Sequence, residues 1–269
     1  MLKRLYIVAF AMLTLAACAN GYEQFYTAAP VNPLARYLPP GPPHFMVSSG
    51  NANTDAATLW EQGFGFVGYS RFNGPLQSQA AAAEQAKRVG AEIIVISQRY
   101  SNTVSGAIPI TTPTSQTSYS NGSVNVFGSG GTATGTYSGT TTSYGSQTSY
   151  IPYAIQRYDQ QALYFSPVDK RGIGVLVSPI SADQAATIGT NKGMIIRAVR
   201  KGSPAFFADV LPGDVLQKID GEWVFDKDSY LSAVQKAYGR KATYELLRRG
   251  NGLSIDLMLG PDGSWPSQP

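Results

Sequence analysis

Residues 101–150, in the middle of the chain, contain no aspartate, glutamate, lysine or arginine, and serine, threonine and glycine dominate them. Such a stretch cannot bury enough apolar surface to build a core of its own, so the 269-residue chain must fold from the flanks around it. Tyr119, Phe127, Tyr137, Tyr144 and Tyr150 are spaced through the stretch, and "SYSNGSVNVF" and "TATGTYSGTTTSY" alternate weakly with period two. A flexible loop and a long protruding hairpin both fit this pattern, and extended strands of low stability are the favoured form.

The flanks carry stronger signals. "FGFVGYSRF", Phe64 to Phe72, is aromatic-rich and strand-like, and "NGP" ends it. Ala82, Ala86 and Val89 then recur at helical spacing, Gly90 terminates them, and "IIVIS", Ile93 to Ser97, is a buried strand. A strand, helix, strand unit of this length predicts a right-handed crossover. Beyond the insert, Tyr153 to Phe165 alternates again and predicts a third strand. The expected N-terminal domain, residues 46–166, is therefore a small three-stranded α/β module with the insert between two adjacent strands.

The start of the chain gives an address. Lys3 and Arg4 precede an apolar run from Leu5 to Ala17, which is too short for the roughly 20 residues a membrane helix needs and fits a cleaved leader, residues 1–17. Leu15, Ala16, Ala17 and Cys18 resemble the bacterial lipobox, which implies acylation of Cys18. As Cys18 is the only cysteine, no intramolecular disulfide competes for it. Ala19 rather than aspartate follows, and in such lipoproteins this implies sorting to the outer membrane, facing the periplasm. From residue 18 to 45 repeated prolines forbid helix and predict a stiff extended tether.

From Asp169 to Leu259 the chain reads as strands capped by two helices. Strands are predicted at Gly174 to Pro179 and Gly193 to Val199, a short helix at Ala182 to Ile188, and a second helix in "DKDSYLSAVQKAYG". Asp220 and Gly221 predict a type I′ turn, which needs positive φ at both centres. "GSPAFFADVLPGDVLQKIDGEWV" resembles the segment G-S-P-A, short helix, L-x-P-G-D-x-I and D-G hairpin of bacterial PDZ domains of the kind attached to HtrA proteases. The resemblance covers roughly a third of the chain and implies a PDZ domain at 167–261, a partly open β-barrel, followed by a tail at 262–269. The fold class is then α+β. The resemblance also places Gly172, Ile173, Gly174 and Val175 on the carboxylate-binding loop, X-Φ-G-Φ, where glycines let backbone N–H groups converge on a terminal carboxylate. It implies a pocket lined by Ile173, Val175 and Val177 of the strand and by Leu231, Val234 and Tyr238 of the facing helix. All are apolar except the tyrosine hydroxyl, so a hydrophobic final residue is expected on the partner. Lys170 and Arg171 depart from the family's pattern; they either assist a carboxylate or are simply solvated.

Several function classes are disfavoured. The formal charge of +4, or 19 basic against 17 acidic side chains without Lys3 and Arg4, gives no electrostatic basis for nucleic acid. "GFGFVG", residues 63–68, matches a nucleotide-binding pattern but leads into "YSRF", which is strand-like, rather than opening a helix. The single histidine, His44, lies beside prolines and no serine has a hydrolase context, so a catalytic triad is excluded, while composition alone leaves a serine and lysine dyad open. One histidine and one acylated cysteine predict no metal site, and no cofactor is expected. Asp226 and Asp228 suit a helix start, where acidic groups offset the dipole.

The expected protein is not an enzyme. It is a lipid-anchored envelope scaffold or adaptor whose PDZ domain binds the C-terminus or an exposed strand of a partner by β-augmentation. The alternative is a structural or surface-assembly lipoprotein acting through the insert, its PDZ groove non-binding or filled by its own "GSWPSQP" tail.

Overall fold

The computed structural model describes residues 20–30 and 32–266; the leader, Cys18 with its expected lipid, and residues 267–269 lie outside the described residues. Apolar runs in β4 (Ile93–Gly128) and β5 (Gly131–Pro167) set the first sheet. At their base, alternate residues face opposite layers. Ile94, Ala162 and Tyr164 pack with Ala82 and Ala86 of a helix, whereas Ile93, Val95, Leu163 and Phe165 pack around Leu59 of another. A strand covered on both faces has no polar side to show, which explains why "IIVI" and "ALYF" read as continuous apolar runs.

The sheet has five strands rather than three, in the order β1-β3-β5-β4-β2. The third is β3 (Phe64–Gly74), antiparallel to β5. Helix α3 (Gln79–Val89) follows it, capped by Ser78 at one end and by Gly90 in the left-handed region at the other. The two unexpected strands, β1 (Tyr26–Ala28) and β2 (His44–Val47), come from the segment expected to be a tether. β1 pairs antiparallel with β3 and β2 runs parallel to β4. Helix α1 (Gly21–Gln24) precedes them, with Asn20 as its cap, and its Tyr22 is fully buried. The expectation of a free tether over residues 18–45 is thus corrected for the described residues 20–30 and 32–45. The prolines forbid helix between β1 and β2, but they do not stop an extended connection from packing: Leu38 N–H donates to Pro167 O (2.9 Å) and Tyr37 bridges Val168. Helix α2 (Ala52–Glu61), capped by Asn51, supplies Leu59.

The second sheet has the order β11-β10-β8-β7-β6, with β9 paired to β8. Its strands are β6 (Val175–Pro179), β7 (Met194–Val199), β8 (Val215–Ile219), β9 (Glu222–Trp223), β10 (Lys241–Arg248) and β11 (Asn251–Met258). The sheet does not close, and β6 and β11 are its edges. Asp220 and Gly221 take φ of 49° and 79°, as a type I′ turn requires. Three helices accompany the sheet: α4 (Ala182–Ile188) with a Ser181 capping box, α5 (Pro204–Phe207) capped by Ser203, and α6 (Lys227–Lys236) capped by Asp226. Asp226 accepts from Ser229 N (2.8 Å), which also holds its carboxyl below the usual range, and Asp228 sits in the first turn. The aspartate of the "LPGD" turn is structural. Asp214 is 2% exposed, accepts from Arg248 Nε (2.8 Å) and Nη2 (2.7 Å), and takes the Leu211 N–H (2.9 Å).

Residues 101–157 form a separate unit. It is a hairpin of the outer parts of β4 and β5, turning at Ser129 and Gly130. Thr111 bonds Thr148 (3.0 Å) and Thr117 bonds Thr142 (3.2 Å) across the strands. Tyr153 covers Gly106 and Tyr137 covers Gly122, filling the space that each absent side chain leaves. These pairs share one register without a slip, so the hairpin carries no bulge between them.

Candidate functional site

The loop before β6 is built by two glycines on either side of a core anchor. Gly172 and Gly174 have φ of 63° and 85°, a region that side chains disfavour. A Cβ at Gly174 would also lie 2.1 Å from the Cβ of Ser203, so only glycine fits there. Between them Ile173 is buried in the core of the second sheet together with Leu34.

All three carbonyls of the loop are tied back to the body. Gly172 O accepts from the Trp265 indole (2.8 Å), Ile173 O from Ala205 N (3.1 Å), and Gly174 O from Arg200 N (2.8 Å) and the Trp60 indole (3.3 Å). The N–H of Gly172 donates to Gly263 O (2.9 Å), and those of Ile173 and Gly174 have no hydrogen bond among the described residues. Peptide groups whose carbonyls are held by the body leave their N–H groups to point the other way. Successive backbone N–H groups without an internal acceptor are donors available to an anion.

The strand that follows offers a second group of unpaired atoms. β6 pairs with β7 on one side, with a bulge at Leu176 and Val177, and with no described strand on the other. Of the expected pocket residues, Val175 and Val234 are already buried in the core, whereas Val177, Leu231 and Tyr238 are half-buried and pack against it. Tyr238 also lies against Gly263, where its ring blocks any side chain.

The basic residues beside the loop have structural partners. Arg171 binds the carboxylates of Asp169 (2.7 Å) and Asp262 (3.3 Å), while Lys170 is exposed. Arg200 donates to the carbonyls of Val168 (2.8 Å) and Asp169 and stacks on Trp265 at 5.0 Å. Burial lowers its pKa, against the opposing pull of Asp169. The described part of the tail runs beside residues 170–172, with Ser264 bridged to Arg171 and Trp265 N donating to Lys170 O (2.9 Å). It therefore braces the loop and does not pair with the free edge of β6. Residues 64–68 of the glycine pattern lie in strand β3, and His44 lies exposed in β2.

Three bracing residues, Trp60, Arg200 and Trp265, escaped the sequence analysis. Two of them belong to the chain's three tryptophans. That scarcity was the available signal, since a buried indole needs a partner for its N–H.

No protein-family model matches the chain. Over 95 residues it is 33% identical to the "Probable periplasmic serine endoprotease DegP-like" of Hahella chejuensis, covering 34% of this chain and 20% of that protein. A protein of the same description from Brucella suis is 30% identical over 95 residues, covering 34% and 18%. The "Magnetosome formation protease MamE" of Paramagnetospirillum magneticum is 32% identical over 94 residues, covering 34% and 13%. The chain thus spans a fifth or less of the length of these relatives. Among solved structures, "HtrA-type protease AlgW with decapeptide" is 23% identical and covers 40% of this chain and 38% of that one, with a TM-score of 0.30. About a third of the chain is therefore related to DegP-like proteins, consistent with a PDZ-type interaction module.

Proposed function

We propose that the chain is a non-catalytic scaffold or adaptor of the bacterial envelope that captures the carboxyl terminus, or an exposed strand, of another protein. The partner's last carboxylate enters the loop Gly172, Ile173, Gly174, Val175, and its preceding residues add to β6 as a further strand. The observation that carries this reading is the pairing of two unbonded loop N–H groups, on Ile173 and Gly174, with the unpaired edge that begins one residue later. Val177, Leu231 and Tyr238 are half-buried and would meet an apolar final side chain, with Val175 and Val234 in the core next to them. The envelope location rests on the periplasmic description of the relatives. Acylation at Cys18 and residence at the outer membrane, facing the periplasm, complete the reading.

The test is a titration of the chain from residue 19 against a random library of peptides with free carboxyl ends, repeated with the best binders amidated. Removing one charge and its hydrogen bonds from a desolvated site should weaken binding by at least about tenfold. Equal binding of acid and amide would overturn the carboxylate loop. Cleavage of an unfolded substrate by the same preparation, lost on substituting one of the chain's own serines, would overturn the non-catalytic part.

A further inference from the structure

We infer that the hairpin of residues 101–157 is a self-association element that pairs edge to edge with the same hairpin of a second copy of this chain. Four observations converge on that occupant. First, both edges are open. β2 pairs with β4 as far as Ile96 and β3 with β5 from Tyr158, so no described strand pairs with the hairpin's outer sides. Each edge runs for about 90 Å at ~3.3 Å per residue.

Second, one face carries an apolar strip. Gly106 and Tyr153 face each other, and alternation along the strands puts Val104, Ile108 and Ile110 on the face of Gly106 and Ile151 and Ile155 on that of Tyr153. These six apolar side chains are each between 38% and 54% exposed. The opposite face carries the threonine pairs Thr111–Thr148 and Thr117–Thr142. Third, a two-stranded ribbon in water is marginal by itself and gains stability from further strands or a covered apolar face.

Fourth, the charge pattern selects the partner. Natural sheet edges are guarded by lysines or inward charges, and residues 101–156 have no charged side chain. A charged partner would gain nothing here, whereas an identical hairpin meets no repulsion. The fit extends to length and direction: β4 of one copy beside β5 of the next continues the antiparallel order and places strip beside strip. Contacts of this heterologous kind use both edges when the copies close a ring.

The experiment is sedimentation velocity on the chain from residue 19, from about 1 to 100 μM, beside two variants. One replaces residues 104–154 with a short turn. The other is Ile108→Lys, which puts a charge in the strip at an exposed position and so leaves each copy folded. The expected result is a concentration-dependent species of two or more chains for the parent, a monomer for the excised variant, and at least a tenfold weaker association for Ile108→Lys. A parent that stays monomeric throughout, or an oligomer that survives excision, would overturn the inference. So would a monomer that associates only with lipid vesicles, which would give the strip a bilayer for its partner. Peptide binding at the β6 loop is read in the same samples, so failure of one reading is separable from failure of the other.

Discussion

The second sheet and the hairpin are built from the same element, and they differ in what surrounds it. In the sheet of β6 to β11, strands of two to eight residues are held by a core in which Met194, Ile196, Leu216 and Tyr244 are nearly sealed from water. In the hairpin, strands several times longer bury almost nothing and rely on threonine pairs and tyrosines laid over glycines. A short strand inside a core is specified by its side chains, whereas a long strand outside one needs another surface to complete it.

The comparison can be broken most severely at glycine. Gly174→Ala combines positive φ with a 2.1 Å overlap and should cost about 3 kcal/mol or more. Gly135→Ala, whose new methyl would meet Val124 Cγ1 at 3.6 Å, should change stability by less than about 0.5 kcal/mol. Urea denaturation of both variants checks the contrast, and equal losses would mean that the loop is not a rigid site.

A second contrast sets one carboxylate against the whole arm. Asp214→Ala leaves the Leu211 N–H and the Arg248 Nε without their partner, while Arg248 Nη2 keeps Asp209 O. The expected loss is about 2–3 kcal/mol, below that of a fully buried pair because Arg248 reaches solvent. Excising residues 104–154 should move the thermal midpoint of the remaining body less than Asp214→Ala does, as followed by near-ultraviolet circular dichroism.

A smaller effect is expected at the brace. Trp60→Phe removes the donor to Gly174 O, which should cost about 1 kcal/mol and weaken peptide binding several-fold, measured by calorimetry. The smallest is a pH effect away from both regions. Asp55 is 3% exposed, and although burial alone would raise its pKa, hydrogen bonds from Ser48 and Ser49 outweigh this and lower it. A lowered folded pKa gives stability that is present above the unfolded value near 4 and is lost as pH falls through the folded one. Asp55→Asn should therefore narrow the gap to the parent on acidification below about pH 4, whereas an unchanged gap would remove this residue from the acid limb.

What was legible in the sequence were signals confined to a few neighbouring residues. The helix expected at Ala182 to Ile188, the G-S-P-A helix start at Ser203 and the one at Asp226 are all in the structure, and Asp220–Gly221 marks its turn. The proline-rich start was misread because proline excludes helix but says nothing about packing, and Tyr22, Tyr26 and Phe25 belonged to the domain. Two strands of the first sheet were missed with them. The braces of the loop were invisible for a related reason: Trp60 lies 114 residues from Gly174 and Trp265 lies 93 from Gly172, and no local pattern records such a pairing. The hairpin's extended form was readable from its weak alternation, although its fixed register depends on cross-strand pairs such as Gly106 with Tyr153.

The central claim is that the Ile173 and Gly174 N–H groups receive a carboxylate. It is tested most directly by amide-resolved NMR of the chain from residue 19 during titration with a tight free-acid peptide and then with its amide. The account predicts that both amide proton resonances move downfield with the acid, in proportion to occupancy, and stay in place with the amide. Saturation by the acid without movement of either resonance would contradict it.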